Sequence, residues 1–484
     1  MRWSKGAAAV GALVVGAVVA VGAIVLVGRG DSGGGTEPDR EPPAETRPAI
    51  TADNVANLTE AWRVDGQTGV TGKPVVRDGV VYFGTWAGQA TAVDLATGEV
   101  AWQTLVAADE SITLDAAPLV TAERVYLPDG DGYLHAVDRQ TGDKVWSVVL
   151  DEHPNVRIFS TPVVAPRDGG SGVVVIGVAS TELRQDLDDY TFRGAVLGLD
   201  EETGEELWRS PTSEDTDGAG ISVWSSAAID EERGLAFIGT GQAYEAPAGP
   251  LSDSLLALDY ETGEKAWHRQ FTEGDVFTYP DPRGPDADVG ATPTLFGIGG
   301  QDVVGVGDKG GTFVTFDRET GETVWSAELT RGSPLGGVMV TAAYAEPGAA
   351  GVGGEDGVVF VTSNTIVDFT PNSERNLSTT FALDAATGET LWQHEHGGAT
   401  FGSLTYAGGV LYRPSVPGPL EALDAATGEV RWTAEPGGDM GAGVRVSGGY
   451  VLAPHGFWFG ADDRPEGSSD ADLPGGVVAY TLPD

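Results

Sequence analysis

One phrase recurs seven times along this chain and constrains its fold more than any other feature: an apolar pair, Asp, two residues, Thr-Gly, three residues and Trp. It occupies residues 94–102, 138–146, 200–208, 259–267, 317–325, 384–392 and 424–432. Self-similarity of this kind marks a repeat architecture in which each unit buries its apolar faces against its neighbours. The phrase has a mechanical reading. A strand such as Ala92-Val93 ends at Asp94, whose carboxylate can hold a tight turn by accepting backbone N–H groups. Gly98 supplies the positive φ that reverses the chain, and Trp102 opens the next strand and packs between neighbouring sheets. Between phrases lie Gly- and Asp-rich turns and short alternating strands such as Val80-Val81-Tyr82-Phe83 and Gly409-Val410-Leu411-Tyr412. Four strands per repeat predict propeller blades.

Trp62 in Ala61-Trp62-Arg63 plays the same part without a preceding Asp-x-x-Thr-Gly, and Val477-Val478-Ala479-Tyr480 reads as the strand before such a turn. Joined, the two ends make one more blade and close the ring, which leaves no free sheet edge. The expected fold is therefore all-β, an eight-bladed β-propeller over residues 51–484; the alternative is seven blades with frayed ends. The repeats ending at Asp138 and Asp424 are short, whereas those ending at Asp200, Asp259, Asp317 and Asp384 carry longer loops. Chemistry is to be sought in the longer ones.

Charge narrows the partners. Lys and Arg total 28 against 72 Asp and Glu, a net charge of -44, and such a surface repels phosphate backbones, so no nucleic-acid partner is expected. The chain has no Cys, which removes disulfides, thiolate metal sites, Cys nucleophiles and haem attachment through Cys-x-x-Cys-His. At the N-terminus, Arg2 and Lys5 precede an uncharged run from Gly6 to Gly28, long enough to span a bilayer as a helix. This predicts an uncleaved transmembrane helix over residues 1–28 as a single-pass membrane anchor, with the positive N-terminus in the cytoplasm and the propeller on the extracytoplasmic side. A cleaved signal peptide, with secretion, is the alternative. Residues 29–50 combine Gly, Pro and charge without periodicity and read as a flexible stalk.

The repeated phrase is similar to the tryptophan-docking motif of quinoprotein propellers, which bind pyrroloquinoline quinone (PQQ) in enzymes and have lost it in scaffold relatives. The resemblance runs from about residue 50 to the end. The segments ISVWSSAAIDEERGLAFIGTGQAYEAP, SDSLLALDYETGEKAWHRQ, GPDADVGATPTLF and VVGVGDKGGTFVTFD look like the polyvinyl-alcohol-dehydrogenase branch. TADNVANLTEAW and YTFRGAVLGLD fit the same branch.

This resemblance implies a site. Quinoprotein dehydrogenases hold Ca²⁺ on PQQ with a Glu, an Asn and often the catalytic Asp, and by motif position these are Glu182, Gln242 and Asp286. Asp286 would be the general base for hydride transfer from an alcohol, polyol or sugar hydroxyl, Trp224 the flat floor under the cofactor, and Lys309 a donor to the quinone oxygens. Each residue also has a plainer reading. Trp224 could be an ordinary packed aromatic, Lys309 a solvated turn, Asp286 and Asp288 a loop held by local hydrogen bonds, and Glu182 a surface residue. Two departures from the family pattern stand out: Gln242 replaces the usual Asn, and a Cys pair is replaced near Asp189-Tyr190. There is no haem segment, so electrons would leave to a separate acceptor. The departures favour the other expectation, a cofactor-free propeller serving as an envelope scaffold for protein or polymer ligands.

Other patterns are weaker. Gly305-x-Gly307-x-x-Gly310 matches the dinucleotide fingerprint but is followed by a strand-like Thr312-Phe313-Val314 instead of a helix. His394 and His396 read as exposed, and no Ser-His-Asp constellation is legible.

Overall fold

The computed structural model describes residues 47–349, 352–367, 373–457 and 474–483. The predicted membrane helix and most of the stalk lie outside the described residues, as does Trp458; among the described residues no helix is long and apolar enough to cross a membrane. Residues 47–50, assigned above to the stalk, instead pack on the propeller. Ile50 is buried in an apolar cluster with Val55 and Val410, and the Arg47 guanidinium donates to the Tyr450 hydroxyl at 2.9 Å.

Eight antiparallel sheets stand around one axis. The first blade shows the plan: Val75–Arg77 innermost, then Val80–Gly84, Gln89–Asp94 and Val100–Leu105, each paired with the next. One blade carries an additional short strand, Val156–Arg157. The eighth blade takes its outer strand, Thr59–Gln67, from the start of the chain and the other three, Arg445–Ser447, Tyr450–His455 and Gly475–Thr481, from the end. Thr59 pairs with Thr481 and Val64 with Val477, so the ring is closed by main-chain hydrogen bonds and the frayed alternative falls away.

The repeated phrase is the joint between blades. Asp94 Oδ1 accepts the N–H groups of Ala96 and Thr97 and the Thr97 hydroxyl at 3.0, 2.9 and 3.0 Å, which closes the turn. Gly98 then adopts φ +73°, and a Cβ there would strike the indole of Trp62 from the preceding blade. The same indole donates its N–H to Leu95 O at 2.9 Å. Trp208 repeats the arrangement over Gly263, donating to Tyr260 O at 3.0 Å, and Trp325 does so over Gly388, donating to Ala385 O at 2.9 Å. In the blade without its own phrase, Trp432 donates to Leu58 O at 3.2 Å, so the joint is made there too.

Trp208 is 8% exposed. Replacing it with Ala should cost about 3–5 kcal/mol through the cavity left between blades, whereas Trp208→Phe, which keeps most of the ring on Gly263, should cost about 1–2 kcal/mol for the lost hydrogen bond and volume. Urea denaturation followed by near-ultraviolet circular dichroism checks this; equal midpoints for wild type and Trp208→Ala would dismiss the joint as a stabilising element.

Candidate functional site

Strand direction decides where side chains converge. In every blade the loops from second to third strand, and the segments leading into the first strand, emerge on one face of the ring. Glu182 follows Val173–Ser180, Gln242 follows Leu235–Gly239 and Lys309 follows Gln301–Gly307, while Trp224 precedes Ala228–Asp230 and Asp286 precedes Thr294–Ile298. All five residues therefore come to the same face of three consecutive blades. Four of the described non-glycine residues with positive φ, namely Ile221, Asp253, Asp286 and Leu335, belong to this region, so the backbone is held in sparsely populated conformations where the loops meet.

The face opens into a cleft with about 520 Å³ of empty space, lined by Phe159, Trp224, Tyr244, Tyr279, Arg184 and Leu335 together with Gln242, Asp288 and Lys309. Trp224 is 8% exposed and packs its six-membered ring against Gly290, where any Cβ would collide with it.

Lys309 is the centre of the charged part. Its Nζ lies 2.6 Å from Asp288 Oδ2, 2.9 Å from Asp286 Oδ1 and 5.5 Å from the Trp224 ring centroid. The backbone locks it in place: Lys309 N–H donates to Asp288 O at 3.0 Å, and Asp308 Oδ1 caps the turn by accepting Thr312 N–H at 2.9 Å. It is buried, which excludes the solvated-turn reading. Asp286 and Asp288 outweigh its desolvation and raise its pKa, so it is an ammonium throughout the physiological range.

The carboxylates outnumber this cation. Asp253, Asp275, Asp286 and Asp288 are all buried here. Burial raises the Asp286 carboxyl to about 6; Lys309 pulls against the rise and the Asp288 charge adds to it. Burial likewise raises Asp253 and Asp275, with Asp288 adding to both. Asp288 Oδ1 accepts Gln242 N–H at 2.7 Å, a contact between two loops and not within one. Asp286 Oδ2 accepts Leu335 N–H at 3.4 Å from a third blade. The carboxylates thus tie separate loops together, and Asp288, not Asp286, lines the cleft.

Two of the expected residues are placed differently. Glu182 is 2% exposed, which overturns the surface reading, but its carboxylate turns away from the cleft. It accepts Phe192 N–H at 2.9 Å, Thr191 N–H at 3.2 Å and the Thr191 hydroxyl at 3.2 Å, and so anchors the 191–192 segment. Its neighbours Leu183 and Arg184 line the cleft in its place. The Gln242 carboxamide either donates to Phe277 O at 3.3 Å or, turned over, donates to the Asp288 carboxylate. Among the described residues no group of three or more His, Cys, Asp and Glu is arranged to hold a metal.

Arg184, Tyr279 and Phe159 were not singled out from sequence. Arg184 lies two residues beyond Glu182 in a loop-bearing repeat, and that position was the only available signal. Burial lowers its pKa and pushes Tyr279 up to about 12.

Elsewhere the fold makes pairs that linear reading missed. Ser147 Oγ, the His135 ring and Asp129 Oδ2 do form a Ser-His-Asp chain at 2.8 and 2.9 Å, because Ser147 and His135 pair across two strands of the second blade. Asp129 also accepts the N–H groups of Asp131 and Tyr133, so the chain ties a turn to the outer strand. His396 is buried, not exposed, and lies 2.8 Å from Glu421 Oε2. The strand Thr312–Asp317 follows Gly310, as expected against a dinucleotide fold.

Comparisons with known proteins agree with the propeller fold. A family model described as glucose/ethanol/alcohol dehydrogenase, β-propeller domain, matches residues 46–334, and one described as outer membrane protein assembly factor BamB matches residues 377–464. The chain is 29% identical to polyvinylalcohol dehydrogenase of Sphingopyxis sp. (strain 113P3) over 229 residues, 42% of this chain and 33% of that protein. It is 32% identical to the polyvinylalcohol dehydrogenase of a Pseudomonas species over 171 residues, 30% of this chain and 27% of that protein. These matches span about a third or less of the relatives' own lengths. In fold, the chain is similar to quinohemoprotein alcohol dehydrogenase from Comamonas testosteroni, with a TM-score of 0.70 at 22% identity over 90% of this chain and 78% of that one. It is also similar to BamB from Moraxella catarrhalis, with a TM-score of 0.56 at 16% identity over 88% of this chain and 99% of that one. With the first family match running over more than half of its length, this chain belongs to the PQQ-type β-propeller family of the glucose, ethanol and alcohol dehydrogenases.

Proposed function

We propose that this protein is an extracytoplasmic quinoprotein dehydrogenase that binds PQQ in the cleft and oxidises a hydroxyl of an alcohol, polyol, sugar or hydroxylated polymer, passing electrons to a separate acceptor. The observation that carries this reading is the Lys309 ammonium, held by Asp286 and Asp288 and facing the indole of Trp224 in the cleft. Export and anchoring through residues 1–28 form part of the proposal and rest on the charge pattern of Arg2, Lys5 and the run after them.

The lining fits a flat, anionic quinone. Trp224 offers an aromatic plane, Tyr244 and Tyr279 add apolar walls, and Lys309 and Arg184 bring two cations to a site otherwise crowded with carboxylates. PQQ, when bound, supplies a hydride acceptor. Lys309 would serve as a fixed donor to it, and Trp224 would exclude water from one face. Asp288, which lines the cleft, would take the substrate hydroxyl proton. Asp286, to which the family resemblance gave that role, stands behind the same ammonium and sets the charge under which Asp288 works. A Ca²⁺ site made of Glu182, Gln242 and Asp286 does not fit this arrangement: Glu182 is turned to residues 191–192, and Lys309 occupies the cation position between the two aspartates. The scaffold reading is favoured by the C-terminal match to the BamB model and by Gln242 in place of Asn.

Titration of the full-length protein with PQQ, followed by Trp fluorescence, should give saturable quenching that weakens in Trp224→Leu. No quenching at micromolar PQQ would leave the scaffold as the function.

Asp288→Asn should lose about 10²–10⁴-fold in dye-linked alcohol oxidation while still binding PQQ, the range usual for a positioned base. In the wild type, activity should fall as pH drops through about 6, where the Asp286 carboxyl takes a proton. Asp286→Asn, which imitates the protonated carboxyl, should hold the reduced acid-side rate across the pH range and so lose that limb. If instead Asp286→Asn is inactive and Asp288→Asn is not, the base is Asp286.

Lys309→Met leaves two buried carboxylates without their cation, at a cost of about 3–5 kcal/mol at neutral pH. The folded-state Asp286 pKa lies above the unfolded value, so the variant's native state binds the extra proton and its deficit should shrink as pH falls toward 5. A deficit that grows on acidification, measured by urea melts across pH, would count against the pairing.

A further inference from the structure

The axis of the ring carries a second charged group that the cleft chemistry does not use. The innermost strands of neighbouring blades touch one another around the axis. Lys73 lies two residues before the innermost strand of the first blade, Thr405 opens that of the seventh and Arg445 that of the eighth. Lys73 reaches past the eighth blade and donates to Thr405 Oγ1 at 2.9 Å, while that hydroxyl donates onward to Val444 O at 2.9 Å. A Cβ at Gly443 would strike Ser403, so Ser403 packs against the chain two residues before Arg445.

What is unusual is the missing counter-charge. Lys73 is 7% exposed, in a protein with 72 acidic and 28 basic residues, yet no carboxylate pairs with it among the described residues. Its one charged neighbour is Arg445, another cation. The buried Arg445 Nε has no hydrogen-bond partner, and neither has the buried Ser403 Oγ. Burial and the Arg445 charge push the Lys73 ammonium down to about 7, and burial lowers Arg445 as well. A buried ammonium near a half-buried guanidinium with a spare donor is costly as it stands and becomes favourable once an anion sits between them.

We propose that the axis holds one small monovalent anion of the halide type between the Lys73 ammonium and the Arg445 guanidinium, with the Ser403 hydroxyl as a further donor. A single charge relieves the repulsion between the two cations. The protein's own field, at net charge -44, disfavours entry of multiply charged oxyanions from solution. Such an anion ties the innermost strands of the first, seventh and eighth blades together across the seam where the two chain ends close the ring.

The full-length protein, exchanged into sodium gluconate below neutral pH, is melted with increasing chloride or bromide at constant ionic strength. The wild type should gain at least about 2 °C, saturably, with both halides, as mass action on the native state requires. Lys73→Met should melt no lower than the wild type in gluconate and show no halide response, and its quenching by PQQ should match the wild type, which separates this site from the cleft. A response to gluconate, sulfate and chloride alike is a screening effect and overturns the proposal, as does a halide response retained in Lys73→Met. Should that variant fail to fold, Arg445→Gln and chloride-35 NMR line broadening on the wild type decide: absence of saturable broadening in the wild type removes the site.

Discussion

Everything in this propeller depends on the contact between one blade's Trp and the next blade's Asp-x-x-Thr-Gly turn. The Gly is required twice over, by its positive φ and by the indole that lies against it, and the Asp is required because its carboxylate closes the turn whose first carbonyls receive the indole N–H. A blade alone is a twisted four-stranded sheet with two apolar faces. The joint sets how neighbouring faces meet, so the ring diameter and the positions of all loops follow from it.

Rigid blades allow the site to carry charge at a density that a softer scaffold would not hold. Four buried aspartates share one lysine, and burial drives Asp253, Asp275 and Asp286 toward their neutral forms. The loops that bear them are strained at Ile221, Asp253, Asp286 and Leu335, and the strands on either side supply the constraint. Proton affinity in the cleft is therefore a property of three blades acting together. The axial cations Lys73 and Arg445 show the opposite imbalance a short way around the same ring, one in which positive charge is in excess.

The two family matches fall on different parts of the ring. The quinoprotein match covers residues 46–334, which contain every lining residue of the cleft but Leu335, while the BamB match covers residues 377–464, which contain none. The half that carries the charged cluster is thus also the half that looks like a dehydrogenase.

By itself the sequence determined the architecture: the seven Asp-to-Trp phrases, with Trp62 and Val477–Tyr480 completing an eighth blade, are local signals because turn closure and glycine conformation act within a few residues. It also singled out Trp224, Asp286 and Lys309, which the fold brings together. Only the tertiary structure decided that Asp288 faces the cleft, that Glu182 turns to the 191–192 backbone, that Arg184 takes its place, and that Ser147, His135 and Asp129 join. Lys73 pairs with Thr405 across 332 residues of chain, and nothing local marks either one. The physical reason is the same in each case. Turns are made by neighbours in sequence, whereas the direction of a side chain on a loop, and the charge that faces it, are set by other blades whose distance along the chain bears no relation to their distance in space.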